Sequence, residues 1–279
     1  RYDWISYDFD NQLVPSKVTG APDEKRNFHK ASPQLGLVWN ITPEFDLYSN
    51  WSQGFVPPEV SGLYGANLVT PDLKEATFNN VDAGLRFKLF DDRLDGEITL
   101  YRLQGQDEVL SYTKPDNTRE PRNAGQTLHQ GIEIGGTWKI SDIYNQRLKL
   151  SGSFAKHEYE DFKPSSVADY SGNTMPSSPK SFGTVEYQIK PIPELLLSAE
   201  GVYVGSYWIN EANTEKYDGH TVLNLRANYR QNAYEIYGQI LNVADAHYAE
   251  STSFSNNQAS YTPAAPRTYL LGLRYHFGE

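Results

Sequence analysis

Apolar and polar residues alternate along most of this chain. In 81–89, Val81, Ala83, Leu85, Phe87 and Leu89 take one parity and Asp82, Gly84, Arg86 and Lys88 the other. The window 221–230 sets Leu223, Leu225, Ala227 and Tyr229 against Asn224, Arg226, Asn228 and Arg230. In 131–140, Ile132, Ile134, Trp138 and Ile140 oppose Glu133, Thr137 and Lys139, and 148–154 and 267–277 repeat the pattern. A period of two marks strands with unlike faces. No window carries an apolar stripe at i, i+3, i+4, i+7. The pattern predicts about twelve strands, near 1–9, 30–41, 45–54, 77–90, 94–112, 125–141, 147–160, 180–190, 195–208, 219–230, 233–243 and 266–277. Several exceed ten residues, against a usual length of about 5–6.

Short turns at 42–44, 91–93, 142–146, 191–194 and 231–232 alternate with long polar connections at 10–29, 55–76, 113–124, 161–179, 209–218 and 244–265. If the hairpins run up and down, every tight turn falls at one end and every long loop at the other. That asymmetry belongs to outer-membrane barrels, with short periplasmic turns and long extracellular loops. Alternation alone does not say which face is wet, but two features favour lipid on the apolar side. Charges stand in mid-strand on the polar parity (Arg86, Lys88, Glu133, Glu200, Arg226), as a watery lumen allows. The last strand places Tyr269, Leu271, Leu273, Tyr275 and Phe277 on one face, aromatics bracketing aliphatics as at the two membrane interfaces. The expected fold is all-β: an antiparallel up-and-down transmembrane β-barrel, with 1–279 as one barrel portion and no second domain.

Composition sharpens this. The 279 residues are only 38% hydrophobic, yet include 20 Tyr, 12 Phe and 5 Trp. Few aliphatics suit a barrel whose apolar surface is a thin outer band, and the aromatics argue against disorder. The formal net charge of −10 argues against a nucleic-acid partner, whose phosphates require Lys and Arg. The absence of Cys removes disulfides, thiolate catalysis and Cys-ligated metals. No apolar run is long enough for a transmembrane helix. The opening Arg1-Tyr2-Asp3-Trp4 has neither a start Met nor a signal sequence, so a mature or truncated piece is expected.

Five strings then carry a family resemblance. Residues 48–63 read YSNWSQGFVPPEVSGL, similar to Y-x-x-Y/W-S-x-G-F-x-P-P. Residues 81–90 and 94–102 read VDAGLRFKLF and LDGEITLYR, similar to an E-x-G-L-R…A-L-Y-R hairpin. NAGQTLHQGIE at 123–133, LNVADAHY at 241–248 and PRTYLLGLRYHF at 266–277 resemble N-A-G…G-V-E, N-L-x-D-x-x-Y and P-R-T-x-x-x-G-x-x-Y-x-F. Together and in order, they resemble the C-terminal part of TonB-dependent outer-membrane receptors. The resemblance implies a Gram-negative outer-membrane receptor that imports ferric siderophores, or sometimes cobalamin, haem or glycans. It also implies a barrel of about 22 strands filled by an N-terminal plug, through which TonB acts. This chain carries about twelve strands and neither plug nor coupling box, and so is expected to be the C-terminal portion of a larger receptor.

No catalytic constellation emerges and no cofactor is expected. The six histidines (His29, His129, His157, His220, His247, His276) fit no metal-site spacing, and no G-x-S-x-G elbow exists. Asp91-Asp92 reads as a tight turn, and Glu158–Asp161 as a strand–loop border with at most unspecific divalent-cation affinity. Asn242 is expected to stabilise a strand exit by side-chain-to-backbone bonding, and Pro57-Pro58 to end a strand. An anionic iron chelate with planar aromatic groups calls for cations and stacking rings at the outer mouth. The candidate ligand contacts are Tyr64 in the second long loop, Tyr112, Arg119 and Arg122 around the third, and Tyr207, Trp208 and Tyr217 around the fifth. Two alternatives compete. One is a self-contained twelve-stranded barrel, an autotransporter translocator or passive pore. The other is an outer-membrane phospholipase, which needs a Ser–His pair on the lipid side, whereas Ser153 and His157 share the lumenal parity.

Overall fold

The computed structural model describes residues 1–10, 12, 23–63, 72–113, 119–123, 125–163 and 168–277. The long strands are β3 (Gln34–Thr42), β4 (Phe45–Val56), β5 (Ala76–Leu89), β6 (Leu94–Gln106), β9 (Gln126–Ser141) and β10 (Gln146–Asp161). They continue with β11 (Ser181–Ile192), β12 (Leu195–Val204), β15 (His220–Gln231), β16 (Tyr234–Leu241) and β19 (Thr268–Tyr275). These eleven form one antiparallel sheet in the order β19-β16-β15-β12-β11-β10-β9-β6-β5-β4-β3. Each strand lies beside its sequence neighbour among them, as in an up-and-down wall. Five tight turns join β3–β4, β5–β6, β9–β10, β11–β12 and β15–β16 at one end. Positive φ at Asp91 and Asp92, at Asn145 and at Asn232 closes three of the five sharply, a conformation that short polar side chains tolerate best.

The opposite end carries four separate two-stranded extensions. They are β1 (Tyr2–Phe9) with β2 (Glu24–Ala31), β7 (Val109–Thr113) with β8 (Arg119–Asn123), β13 (Tyr207–Trp208) with β14 (Lys216–Tyr217), and β17 (Ala249–Ser255) with β18 (Gln258–Pro263). A single turn of helix, α1 (Val60–Leu63), follows Pro57-Pro58. The expected strands at 94–112 and 195–208 are thus each two segments, and 30–41 is broken at Ser32-Pro33, where proline has no N–H for the ladder. The expected strand 1–9 pairs with β2 rather than joining the main sheet, and 24–29 is strand, not loop. The expected loop 244–265 contains a hairpin that closes on Asn256-Asn257, with φ of 51° and 59°, the geometry of a type I′ turn.

Register fixes the two faces. Asp82, Gly84, Arg86 and Lys88 share a face with Glu97, Glu133, Lys149, Glu186, Glu200, Arg226, Glu235 and Arg274. These charges pair across strands: Arg86–Glu97 at 3.3 Å, Lys149–Glu186 at 3.4 Å, Arg226–Glu200 at 2.7 Å and Arg274–Glu235 at 3.1 Å. The other face is aliphatic and uncovered. Even on strands paired on both sides, Leu100 is 54% and Leu150 45% exposed, and Leu271 at the sheet edge is 83% exposed. Aromatics fringe this stripe toward the tight turns (Trp138, Tyr234, Tyr275, Phe277) and toward the long loops (Phe154, Tyr203, Tyr269). A continuous apolar surface of this size has no place in water and matches the lipid band of a membrane barrel. The buried apolar clusters sit at the long-loop end instead. Phe28, Leu63 and Leu73 pack with Tyr7, Phe55 and Val109, and Tyr159 and Phe162 with Tyr170 and Met175.

Two glycines in the wall carry a repeated device. Tyr48 lies opposite Gly84, and its ring covers the space a Cβ there would take. Arg86 stacks on that ring at 4.6 Å, and the Tyr48 hydroxyl meets Glu97 and Thr99. Tyr237 likewise covers Gly272, with Arg274 5.8 Å from its ring centroid and paired with Glu235. The missing side chain lets a lumenal tyrosine lie flat on the neighbouring strand.

Candidate ligand-capture rim

The long-loop end is built, not merely connected. Asn210 is 4% exposed; its Oδ1 accepts from the backbone of Thr214 and Glu215, and its Nδ2 donates to Thr214 Oγ1 at 2.7 Å. This closes the loop between β13 and β14. Asn213 then ties that loop to the one after β10, donating to the Thr174 carbonyl at 2.7 Å and accepting from its N–H at 2.8 Å. Asn173 donates to the Glu211 carbonyl at 2.8 Å. Asn242 is 3% exposed and, with φ of 51°, holds the exit of β16. Its Oδ1 accepts from Ala246 N–H at 2.8 Å and its Nδ2 donates to the Ala246 carbonyl at 2.9 Å, which is the backbone-bonding role expected of it.

On this frame stands an aromatic cluster. Tyr207 and Tyr217 face each other across β13 and β14, with ring centroids 5.1 Å apart. The Tyr217 hydroxyl lies 2.9 Å from His220 Nδ1 and accepts from Ala249 N–H at 3.2 Å. His220 stacks on Tyr248 at 4.2 Å, and Tyr261 reaches Tyr217 at 6.4 Å. Thr252 donates to the Tyr207 hydroxyl at 3.2 Å. The cluster thus joins the β13–β14 and β17–β18 hairpins at the long-loop end. Rings with polar edges of this kind stack on planar groups and offer hydrogen bonds at their margins.

The candidates from sequence fall into two groups that the fold keeps apart. Tyr207, Trp208 and Tyr217 lie together on β13 and β14. Tyr112, Arg119 and Arg122 lie on β7 and β8, with Arg122 opposite Leu110, Tyr112 opposite Glu120 and Arg119 opposite Thr113. Tyr112 and Arg119 are placed by their backbone alone, and Tyr64 lies outside the described residues. The parent strands of the two hairpins have β10 and β11 between them. Sequence reasoning missed His220, Tyr248 and Tyr261 as members of the cluster. The available signal was Asn256-Asn257, which announces the hairpin that presents Tyr261. Among the described residues, no three His, Asp or Glu groups are set to enclose a metal. Glu158 pairs with Lys156, and Asp161 with Lys163. Ser153 and His157 both face the lumen, level with Glu133 and His129, and not the lipid. No described strand pairs β3 with β19, so the eleven strands do not by themselves close the twelve-stranded barrel of the translocator alternative.

Residues 1–243 match the family described as TonB dependent receptor-like, beta-barrel. Among curated relatives, the probable TonB-dependent siderophore receptor PiuA of Acinetobacter baumannii is 22% identical over 98% of this chain, and the vitamin B12 transporter BtuB of Photobacterium profundum 24% over 83%. The chain spans 37% of the length of each of these two. The crystal structure of PiuA from Acinetobacter baumannii superposes with a TM-score of 0.76 at 19% identity, covering 98% of this chain and 39% of that one. The ferric yersiniabactin uptake receptor FyuA of Yersinia pestis gives 0.74 at 17%, covering 91% and 38%. The sheet corresponds to the C-terminal part of such barrels. With the membrane-facing stripe, the paired lumenal charges and the family match over most of its length, this chain belongs to the TonB dependent receptor-like β-barrel family of the Gram-negative outer membrane.

Proposed function

We propose that residues 1–279 are the C-terminal barrel portion of a receptor that takes up a ferric siderophore or similar iron complex, driven by TonB acting through an N-terminal plug. The rim captures the ligand, and displacement of the plug opens a path beside the charged lumen wall. The observation that carries this reading is the Tyr207–Tyr217–His220–Tyr248 cluster, a stacking surface locked between two hairpins at the long-loop end. Family members are transporters, not enzymes. Their names span ligands: PiuA is named for siderophores, BtuB for vitamin B12, and the Pseudomonas aeruginosa protein CntO, 23% identical over 88% of this chain, for metal-pseudopaline. An iron chelate is favoured here because a cluster of phenol rings suits planar aromatic chelators. The test is uptake of radiolabelled iron chelates and of labelled cobalamin in cells with and without the intact gene, together with its expression under iron limitation. A loss confined to an iron chelate supports the reading; a loss confined to cobalamin refutes the ligand class.

A further inference from the structure

The upper lumen wall holds a pair of imidazoles that the capture rim does not use. His129 on β9 and His157 on β10 are direct cross-strand partners. Their Nδ1 atoms are 2.8 Å apart, with ring centroids at 5.0 Å and planes inclined at 59°. Both residues are half-buried, and among the described residues neither ring has another hydrogen-bond partner. They share the lumenal face with Glu133 and Ser153. His129 stands twelve positions before Ser141, at the tight-turn end of β9. At about 3.3 Å per residue and a tilt of about 40°, that sets the pair about 30 Å up the wall, just above an apolar band of about 25 Å. The outer surface agrees: Ile132 and Phe154 end the apolar stripe, and Gln130, Lys156 and Glu158 follow it.

A carboxylate stands one side-chain step away. Thr127, the next lumenal position on β9, is fully buried and donates to Glu108 Oε2 at 2.7 Å. Glu108 precedes β7, where the β6–β9 hairpin gives way to its extension. The wall thus presents two neutral-capable nitrogens with an anion beside them, open toward the lumen.

We infer that His129 and His157 form a two-nitrogen contact site for a divalent transition-metal ion, with Glu108 as its flanking anion. At a metal–nitrogen length of about 2.0–2.1 Å, two nitrogens at a right angle stand about 2.9 Å apart, close to the separation already present. Imidazole suits Cu2+, Ni2+ and Zn2+, and Cu2+ binds tightest in that series. Two protein ligands leave positions open to water or to the donor atoms of a chelate. The site is therefore a contact on the way through and not an enclosing structural centre, consistent with no three-residue metal cluster among the described residues. The competing arrangement is a plain His–His hydrogen bond, which needs one ring to keep its proton on Nδ1. Metal binding needs both rings to carry theirs on Nε2. The inference rests on this pair alone and stands whichever nutrient the receptor imports.

The test uses the intact receptor in detergent at pH 7.5, titrated with Cu2+ alone and read by electron paramagnetic resonance and calorimetry. One equivalent with splitting from two nitrogens is expected. H129A and H157A should each lose that signal, and E108Q should weaken it by removing the nearby negative charge, all three keeping the heat-dependent electrophoretic shift of a folded barrel. The signal should also weaken as the pH is lowered, because imidazolium competes with the metal. Absence of a two-nitrogen signal in the unmodified protein overturns the inference without recourse to any variant. So does an unchanged signal in the folded H129A and H157A proteins.

Discussion

Leu150 and Ser151 are neighbours on β10, a strand paired on both sides, and they point opposite ways. Leu150 lies in the apolar stripe between Leu148 and Phe154 and is 45% exposed. Ser151 faces the lumen, its hydroxyl 2.7 Å from that of Thr184. Leu150→Arg puts a guanidinium among acyl chains near the middle of the band, where an arginine on a barrel costs about 2–4 kcal/mol. That is about a 30- to 700-fold drop in the folded-to-unfolded ratio. Ser151→Arg enters a watery lumen already lined with paired charges and should stay within about 0.5 kcal/mol. Denaturant titration from phospholipid vesicles measures both. A second readout is needed, because a leucine sealed in a water-soluble core would also reject arginine. The chain has no cysteine, so single nitroxide labels at Leu150→Cys and Ser151→Cys are unambiguous. The label at 150 should collide with oxygen dissolved in lipid, and the label at 151 with a water-soluble nickel chelate. A label at 150 that neither reagent reaches, or equal penalties for the two arginines, would refute the assignment of the faces.

Other consequences are local. Gly84→Ala drives a methyl into the Tyr48 ring and breaks its contacts with Glu97 and Thr99; a loss of about 1–3 kcal/mol is expected in unfolding experiments, largely relieved by adding Tyr48→Ala. Asn242→Ala removes a buried hub and its bonds to Ala246; about 1–3 kcal/mol should be lost, seen first as proteolysis within 243–267. Tyr217→Phe deletes the hydroxyl shared by His220 and Ala249, loosening β17–β18 by about 1 kcal/mol, which amide hydrogen exchange over 249–263 should register. If the proposed ligand stacks on the rim, Tyr207→Ala should weaken its binding by about 0.5–1.5 kcal/mol, a two- to twelve-fold rise in Kd, with unfolding of the barrel wall unaltered.

The barrel wall was legible because its code is short-range. A period of two in Leu223, Leu225 and Ala227 names the strand and its two faces without knowledge of any partner. Turn chemistry at Asn145 and Asn232 names the ends. What eluded sequence reasoning depends on contacts between loops far apart in the chain. Tyr217 and Tyr261 are separated by 43 residues, and only the joining of two hairpins makes them neighbours. His129 and His157, set apart by 27 residues, meet because the tight turn at 142–145 fixes a register that no local pattern states. The glycines make the same point from the other side. In sequence, Gly84 and Gly272 merely weaken two strands; in the sheet each admits a tyrosine that belongs to the next strand. The lipid face is thus specified residue by residue, whereas the lumen and rim are specified pair by pair. For that reason a single sequence yields the architecture of this barrel wall before it yields the chemistry of its lumen and rim.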